Sequence, residues 1–292
     1  IIPHPLTSNM VTLISRHSKY SPNSEARDEA LFRSLVMNFA LQGISIATFD
    51  EAVFEHRPPQ LEKSTLILSM ARSEAALHTL SAAEERGVIV LNSPRALQKA
   101  QRTDFQQWFA ESGHAAKHWH TSELTADRKA TLLFPLWWKR NNTATTSAND
   151  VQFVEHLAQL DAILSEHANE DALLMEHIDG QLVKFYGVVG TNFFHAEPHS
   201  PKGFSKFGHE QHNHHKDLAL SSPMWKQTLR AMHTAATQVA QQSGFSIYGG
   251  DAILREDGTF VFIDFNDFPS FSACLPKASA AIVQHSLSLL AK

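Results

Sequence analysis

The sequence predicts an α/β (α+β) protein with a parallel sheet in its first third and an antiparallel hairpin near its C-terminus. Three observations predict it. The chain has 292 residues, enough for two or three subdomains rather than one small core. Strand and helix signals alternate through residues 8–95, the pattern of a parallel sheet. Two apolar runs flank Asp257-Gly258, a hairpin turn signal.

In chain order, Val11–Ser15 is a short apolar strand. Glu25–Leu41 has helical periodicity, with Leu31, Leu35, Val36 and Phe39 on one side and Gly43 as its C-cap. Ile44–Phe49 follows as a strand, and Ser64–Met70 is short and apolar enough to be buried on both faces. Ala75–Arg86 is a helix ended by Gly87, and Val88–Leu91 is a strand closed by Asn92-Ser93-Pro94. No Gly-x-Gly-x-x-Gly occurs, so a dinucleotide-binding reading has no support. Arg95–Ser112 reads as one helix leading into a second unit, and Leu132–Lys139 as a strand carrying Trp137-Trp138. Asn141–Asn149 is polar and turn-rich, a mobile loop, and Val151–His167 reads as an amphipathic helix. Ala172–His177 is a strand running into Ile178-Asp179-Gly180, and Val183–Val189 is another. Residues 196–222 form the longest irregular stretch, a length that is usually functional or disordered. Ser222–Ser243 is a helix, the hairpin follows, and Lys277–Leu290 is the final helix. The expected units are residues 1–94, 95–180 and 181–292.

Hydrophobic content of 43% and charged content of 19% are ordinary for a soluble domain. A net charge of -5 without any basic run argues against nucleic acid or an anionic membrane as the main partner. Cys274 is the single cysteine, so no internal disulfide forms and a reducing cytoplasm is the expected compartment. No apolar run approaches the roughly 20 residues that span a bilayer, and the first residues lack the charged-then-apolar form of a signal peptide. The densest of the histidine clusters is His209, His212, His214 and His215. Its spacing matches no standard zinc pattern. It reads as a metal site, a solvated loop, or a contact for an anionic substrate.

The hairpin carries the chemistry. Asp251 lies on its first strand, and Asp264 and Asn266 lie on its second, two apart and therefore on one face. Two carboxylates and an amide oxygen suit Mg²⁺, or Mn²⁺, held together with substrate phosphates. The alternative is an ordinary hairpin with acidic edges. An ionised Asp inside an apolar strand is costly unless paired or metal-bound, which favours the site. Lys139 ends the strand Phe134-Pro135-Leu136-Trp137-Trp138-Lys139, where it is either solvated or able to neutralise phosphate as a point charge.

These residues together resemble the ATP-grasp enzymes. The matching features are the Phe-Pro-(three apolar)-Lys strand, the stretch Leu173–Gly180, Lys184 ahead of Val188-Val189-Gly190, and Asp251 with Asp264-x-Asn266-x-Phe268-Pro269. The resemblance spans roughly residues 88–275. The Asp-x-Asn-x-Phe-Pro ending is most similar to the inositol tris/tetrakisphosphate kinase branch, and so is a lid, Arg140–Asp150, without glycine. What the resemblance implies is an N-terminal parallel-sheet domain before two α+β lobes that enclose ATP, the co-substrate, with its magnesium. It implies metal ligation by Asp251, Asp264 and Asn266, and catalytic roles for Lys139, Lys184 and Arg255. It implies nucleotide binding by Arg102, Lys139, Lys184 and the hinge residues Glu176, His177, Ile178 and Asp179. The chain departs from the family pattern near Asp104, where the family often has a lysine and Arg102 is the only nearby candidate for that charge, and in two further places. One extra residue separates Lys184 from Val-Val-Gly, and Glu197-Pro198 stands where the family has Arg-Pro. The expected reaction is γ-phosphoryl transfer to a small, anionic acceptor. A hydroxyl of a polyol or inositol phosphate stands slightly ahead of a carboxylate that an amine then attacks. The loop Pro198–Lys216, with Lys202, Lys206 and four histidines, would face that acceptor.

Overall fold

The computed structural model describes residues 10–56, 59–142, 147–200, 208–212 and 222–291. Three four-stranded sheets organise them. The first contains β1 (Met10–Ser15), β2 (Ser45–Asp50), β3 (Leu66–Ser69) and β4 (Ile89–Leu91), all parallel in the order β2-β1-β3-β4. The connecting helices are α1 (Glu25–Leu41), α2 (Val53–His56) and α3 (Glu74–Glu85). β3 is buried at every position, as a Leu-Ile-Leu run between helical layers requires. Ser73 caps α3, its side chain accepting from Ala76 N.

The second unit begins with α4 (Pro94–Lys99) and α5 (Arg102–Glu111), where the sequence predicts one helix. The break is physical. Ala100 and Gln101 are extended, Gln101 bridges to Asn142, and Gln101 and Asp104 form a capping box that starts α5 afresh. Then come β5 (His118–His120), α6 (Ala126–Ala130), β6 (Leu136–Arg140), β7 (Val151–Val154), α7 (Leu157–Glu166) and β8 (Ala172–Glu176), with an antiparallel sheet in the order β5-β8-β6-β7. The predicted helix Val151–His167 is therefore a strand and a shorter helix. Val151, Phe153 and Val154 favour the strand that pairs with β6, and His156 caps α7 by accepting from Gln159 N.

The third sheet has the order β10-β9-β11-β12, all antiparallel, with β9 (Gln181–Val188), β10 (Phe194–Pro198), β11 (Ile247–Leu254) and β12 (Phe260–Asp267). β10 takes up the first residues of the stretch read as irregular. α8 (Pro223–Ser243) precedes the hairpin, and α9 (Leu275–Leu290) follows it. The hairpin turn is the predicted one, with Gly258 at φ 83°. α9 does not stay with its own sheet. Ala278 and Ile282 share a core with Leu31, Leu35 and Phe39 of α1 and with Phe268 and Phe271 beyond β12. The end of β12 is thereby packed against the first unit. Among the described residues no helix is long and apolar enough to cross a membrane.

Candidate active site

A cleft of about 330 Å³ lies where β6, β8 and β9 meet the β11–β12 hairpin and the loops following β1 and β3. Its centre is the hairpin. Asp251 pairs with Asp264 across the ladder, and the register shifts between Asp251 and Ala252. Asn266 projects from the same face as Asp264 and lies opposite Gly249. The two glycines before Asp251 let the strands approach. A Cβ on Gly250 would fall 2.3 Å from the Asp264 carbonyl oxygen, and one on Gly249 would fall 2.9 Å from the Phe185 carbonyl oxygen.

Three cations converge on these acids. Arg102, 5% exposed, donates from Nη1 to Asp264 Oδ1 at 2.8 Å. Lys184 Nζ lies 3.4 Å from Asp251 Oδ1. Lys139 is 6% exposed and donates from Nζ to the Ile263 carbonyl at 2.9 Å. Burial first, and then Arg102, pull the Lys139 ammonium down to about 7, against the opposing pull of Asp264 and Asp251. Burial alone would raise the Asp264 carboxyl. Arg102 and Lys139 outweigh it and hold the group below its ordinary value. Two charged carboxylates with an amide oxygen beside them are hard oxygen donors and fit Mg²⁺ or Mn²⁺. Among the described residues no group of three or more His, Cys, Asp or Glu side chains could hold a metal, so a metal here would need Asn266 as a third donor.

One end of the cleft is apolar. Trp137, Val151, Met175, Ile178 and Leu182 line it, with Ile253 and Ile263 of the hairpin. Of the hinge residues, Glu176, His177 and Ile178 reach the cleft. Glu176 accepts from Lys117 N at 2.8 Å, and Trp137 Nε1 lies 3.1 Å from His177 Nδ1. Asp179 does not reach it. Its side chain is 80% exposed and lies 3.6 Å from His177 Nε2. Arg255 is also not brought to the site. It is exposed at the hairpin turn, hydrogen-bonded through its backbone to Thr259, and about 13 Å along the strand from Asp251 at the usual rise per residue. It is not among the residues that line the cleft. His209 stands edge-on to Trp137 and lines the cleft, and His212 stacks on Phe153 with ring centres 4.0 Å apart. The other expected acceptor-loop residues, Lys202, Lys206, His214 and His215, lie outside the described residues, as do residues 143–146 of the lid Arg140–Asp150.

The opposite end of the cleft is polar, and sequence reading missed it. Arg16 follows β1 and Arg72 follows β3, and Asp28 and Asp267 face them. The available signal was positional. Both arginines sit just past the carboxyl ends of parallel strands, where open α/β sheets bind ligands.

No family model matches the sequence, and no curated protein matches it. Solved structures do match. D-alanine–D-alanine ligase from Bacillus anthracis with ATP is 12% identical, with TM-score 0.66 over 96% of this chain and 98% of that one. The VanG D-Ala:D-Ser ligase from Enterococcus faecalis is 14% identical, with TM-score 0.68 over 94% of this chain and 98% of that one. A RimK domain ATP-grasp protein from Sphaerobacter thermophilus is 18% identical, with TM-score 0.65 over 95% and 99%. The chain has the ATP-grasp fold.

Proposed function

We propose that this protein is an ATP-dependent carboxylate–amine ligase that works through an acyl phosphate. The observation that carries the reading is the convergence, in one cleft of an ATP-grasp fold, of Asp251, Asp264 and Asn266 with Arg102, Lys139 and Lys184. The ligases among the similar structures support this acceptor class over the hydroxyl kinase that the Asp-x-Asn-x-Phe-Pro ending suggested.

In this reading residues 95–180 and 181–292 clasp the nucleotide, and residues 1–94 present the acceptor. The adenine lies at the apolar end, against Trp137, Met175 and Leu182, with backbone groups around Glu176–Ile178 meeting its polar edge. Asp251, Asp264 and Asn266 would hold the magnesium, which when bound neutralises phosphate charge. Lys139 and Lys184 place two further positive charges at the γ-phosphate, where negative charge must be stabilised as it transfers. The acceptor carboxylate oxygen attacks the γ-phosphorus, and the bond to the β-phosphate oxygen breaks to release ADP. The amine nitrogen then attacks the acyl carbon, phosphate departs, and the nitrogen loses its proton. Arg102 keeps Asp264 ionised throughout by its 2.8 Å contact.

The test is hydroxylamine trapping during ATP turnover with a panel of carboxylic acids. Formation of a hydroxamate together with ADP is the expected result. ADP formed with a polyol phosphate and no amine, its product stable to hydroxylamine, would overturn the ligase and restore the kinase.

A further inference from the structure

Three side chains of the first unit grip the open end of the β11–β12 hairpin. Arg16, Arg72 and Asn92 follow three strands of the parallel sheet, β1, β3 and β4. Asn92 is 1% exposed. It donates from Nδ2 to the Ile247 carbonyl at 2.7 Å and accepts from Ile247 N at 2.8 Å, so it holds both backbone groups of the first residue of β11. Arg72 donates from Nη2 to the Asp267 side chain and, at 3.4 Å, to the Asp267 carbonyl, on the last residue of β12. Arg16 donates from Nη2 to the Phe268 carbonyl at 3.0 Å. Phe268 N donates in turn to the Ile247 carbonyl at 3.0 Å, which closes the ring of contacts.

The backbone held there is strained. Phe268 has φ 40° and Phe271 has φ 52°, and both side chains are fully buried. A bulky residue at positive φ is an outlier. It persists only where its surroundings over-determine it. Arg16 fixes the Phe268 carbonyl, and both rings lie in the core shared by α1 and α9. Asn266 stands one residue before the clamped Asp267. Its amide is held loosely by its own bonds. Among the described residues it donates only to Asp264 Oδ2, at 3.4 Å. Mg²⁺ demands near-ideal octahedral geometry, so a neutral oxygen contributes only when it is held in place.

We infer that Arg16, Arg72 and Asn92 are positioning residues for a divalent cation: by clamping the open end of the hairpin, the first unit fixes Asn266 as the third donor. This rests on the reading of Asp251, Asp264 and Asn266 as metal donors in the proposed function. The plainer alternative is that the clamp only joins the first unit to the third. A separate contact joins the same two units away from the hairpin. Ser34 and Asn38 of α1 donate to Ser279 Oγ of α9 at 2.8 and 3.3 Å. It supplies an internal control.

The experiment is Mn²⁺ titration of the full chain followed by electron paramagnetic resonance, with Mn²⁺ alone and with a β,γ-imido ATP analogue. Arg72→Lys keeps the charge beside Asp267 but loses the fork. Its Mn²⁺ affinity is expected to fall about tenfold or more, the scale of losing an outer support of a metal ligand. Asn38→Ala is expected to leave Mn²⁺ affinity unchanged. In an Asn266→Ala background, Arg72→Lys should cost little more, because the residue through which it acts is gone. Arg16→Lys serves the same comparisons should Arg72→Lys not fold. Unchanged Mn²⁺ affinity in a folded arginine variant overturns the inference. So does an equal loss in Asn38→Ala, or a full further loss in the Asn266→Ala background. Unaltered Mn²⁺ affinity in Asp264→Asn would strike the metal reading and the inference with it. Failure of the ATP analogue to bind would instead strike the proposed function, while the titrations with Mn²⁺ alone still judge the clamp.

Discussion

Asp251 on β11 stands directly opposite Asp264 on β12, and the ladder slips one residue immediately beyond them. Like charges directly opposite one another destabilise a sheet. Here each carboxylate has its own cation, Lys184 for Asp251 and Arg102 for Asp264. The bulge increases local twist and re-aims the side chains at the point where the pair faces the cleft. The pair is thus charged, held and accessible, the state in which carboxylates bind a divalent cation.

Asp264→Asn tests that arrangement. It preserves shape while removing one anionic ligand and the charge partner of Arg102. ATP-dependent ADP release should fall about 10²-fold or more, the scale of a major electrostatic contact to the transition state. A folded variant with wild-type ADP release would exclude Asp264 from the metal site.

Lys139 predicts a pH dependence with a definite sign. Its ammonium is held down to about 7 by burial and by Arg102. Phosphates entering the cleft favour the charged form and raise that value. Nucleotide binding at pH 8 should therefore take up a proton, and affinity should weaken as pH rises above about 7. The same shift means that the unfolded chain holds this proton up to its ordinary value of 10.5, while the folded chain loses it earlier. From this group stability rises with pH between those values. Titrations in buffers of different ionisation enthalpy measure the uptake. An uptake that survives in Lys139→Met would assign it to another group.

The β11–β12 hairpin was legible in sequence because a period of two and an Asp-Gly turn are local signals. Asp251, Asp264 and Asn266 fall where the hairpin reading puts them. Val151–Val154 was not legible, since its apolar spacing suits either period and pairing with β6 decides it. The break between α4 and α5 depends on the Gln101 bridge to Asn142, a partner distant in sequence. Arg16, Arg72 and Asp267 carry no motif. They become a cluster only when α9 and the end of β12 pack onto the first unit. Arg255 lies at the hairpin turn, outside the lining of the cleft, because four residues of extended strand separate it from Asp251.

Gly250→Ala should prevent the hairpin from closing. The added methyl would lie 2.3 Å from the Asp264 carbonyl oxygen and 2.5 Å from the Phe185 ring. Neither can yield cheaply, because one is ladder backbone and Phe185 is fully buried. Loss of soluble protein, or a melting temperature lower by several degrees, is expected, on the scale of about 2 kcal/mol or more. A stable variant with intact ATP-dependent activity would show that the strands tolerate separation here.

Glu51 gives the last prediction, because it ties together the loops at the polar end of the cleft without itself lining it. It is 1% exposed and follows β2. Its Oε2 accepts from His17 N at 2.7 Å, and its Oε1 accepts from Arg72 N at 2.6 Å and Ser73 N at 2.5 Å. One carboxylate thus ties the loop after β1, which carries Arg16, to the loop after β3, which carries Arg72. Glu51→Ala would leave three backbone N–H groups without their acceptor, at about 1–3 kcal/mol for each that stays buried. A loss of about 3 kcal/mol or more in urea unfolding is expected. Glu51→Gln retains one oxygen but turns an NH₂ toward amide donors, and should lose part of that amount. Because the slackened loops belong to the polar end, KM for the acceptor should rise more than KM for ATP in Glu51→Gln. Equal changes in both would mean that Glu51 holds the whole molecule rather than that end of the cleft.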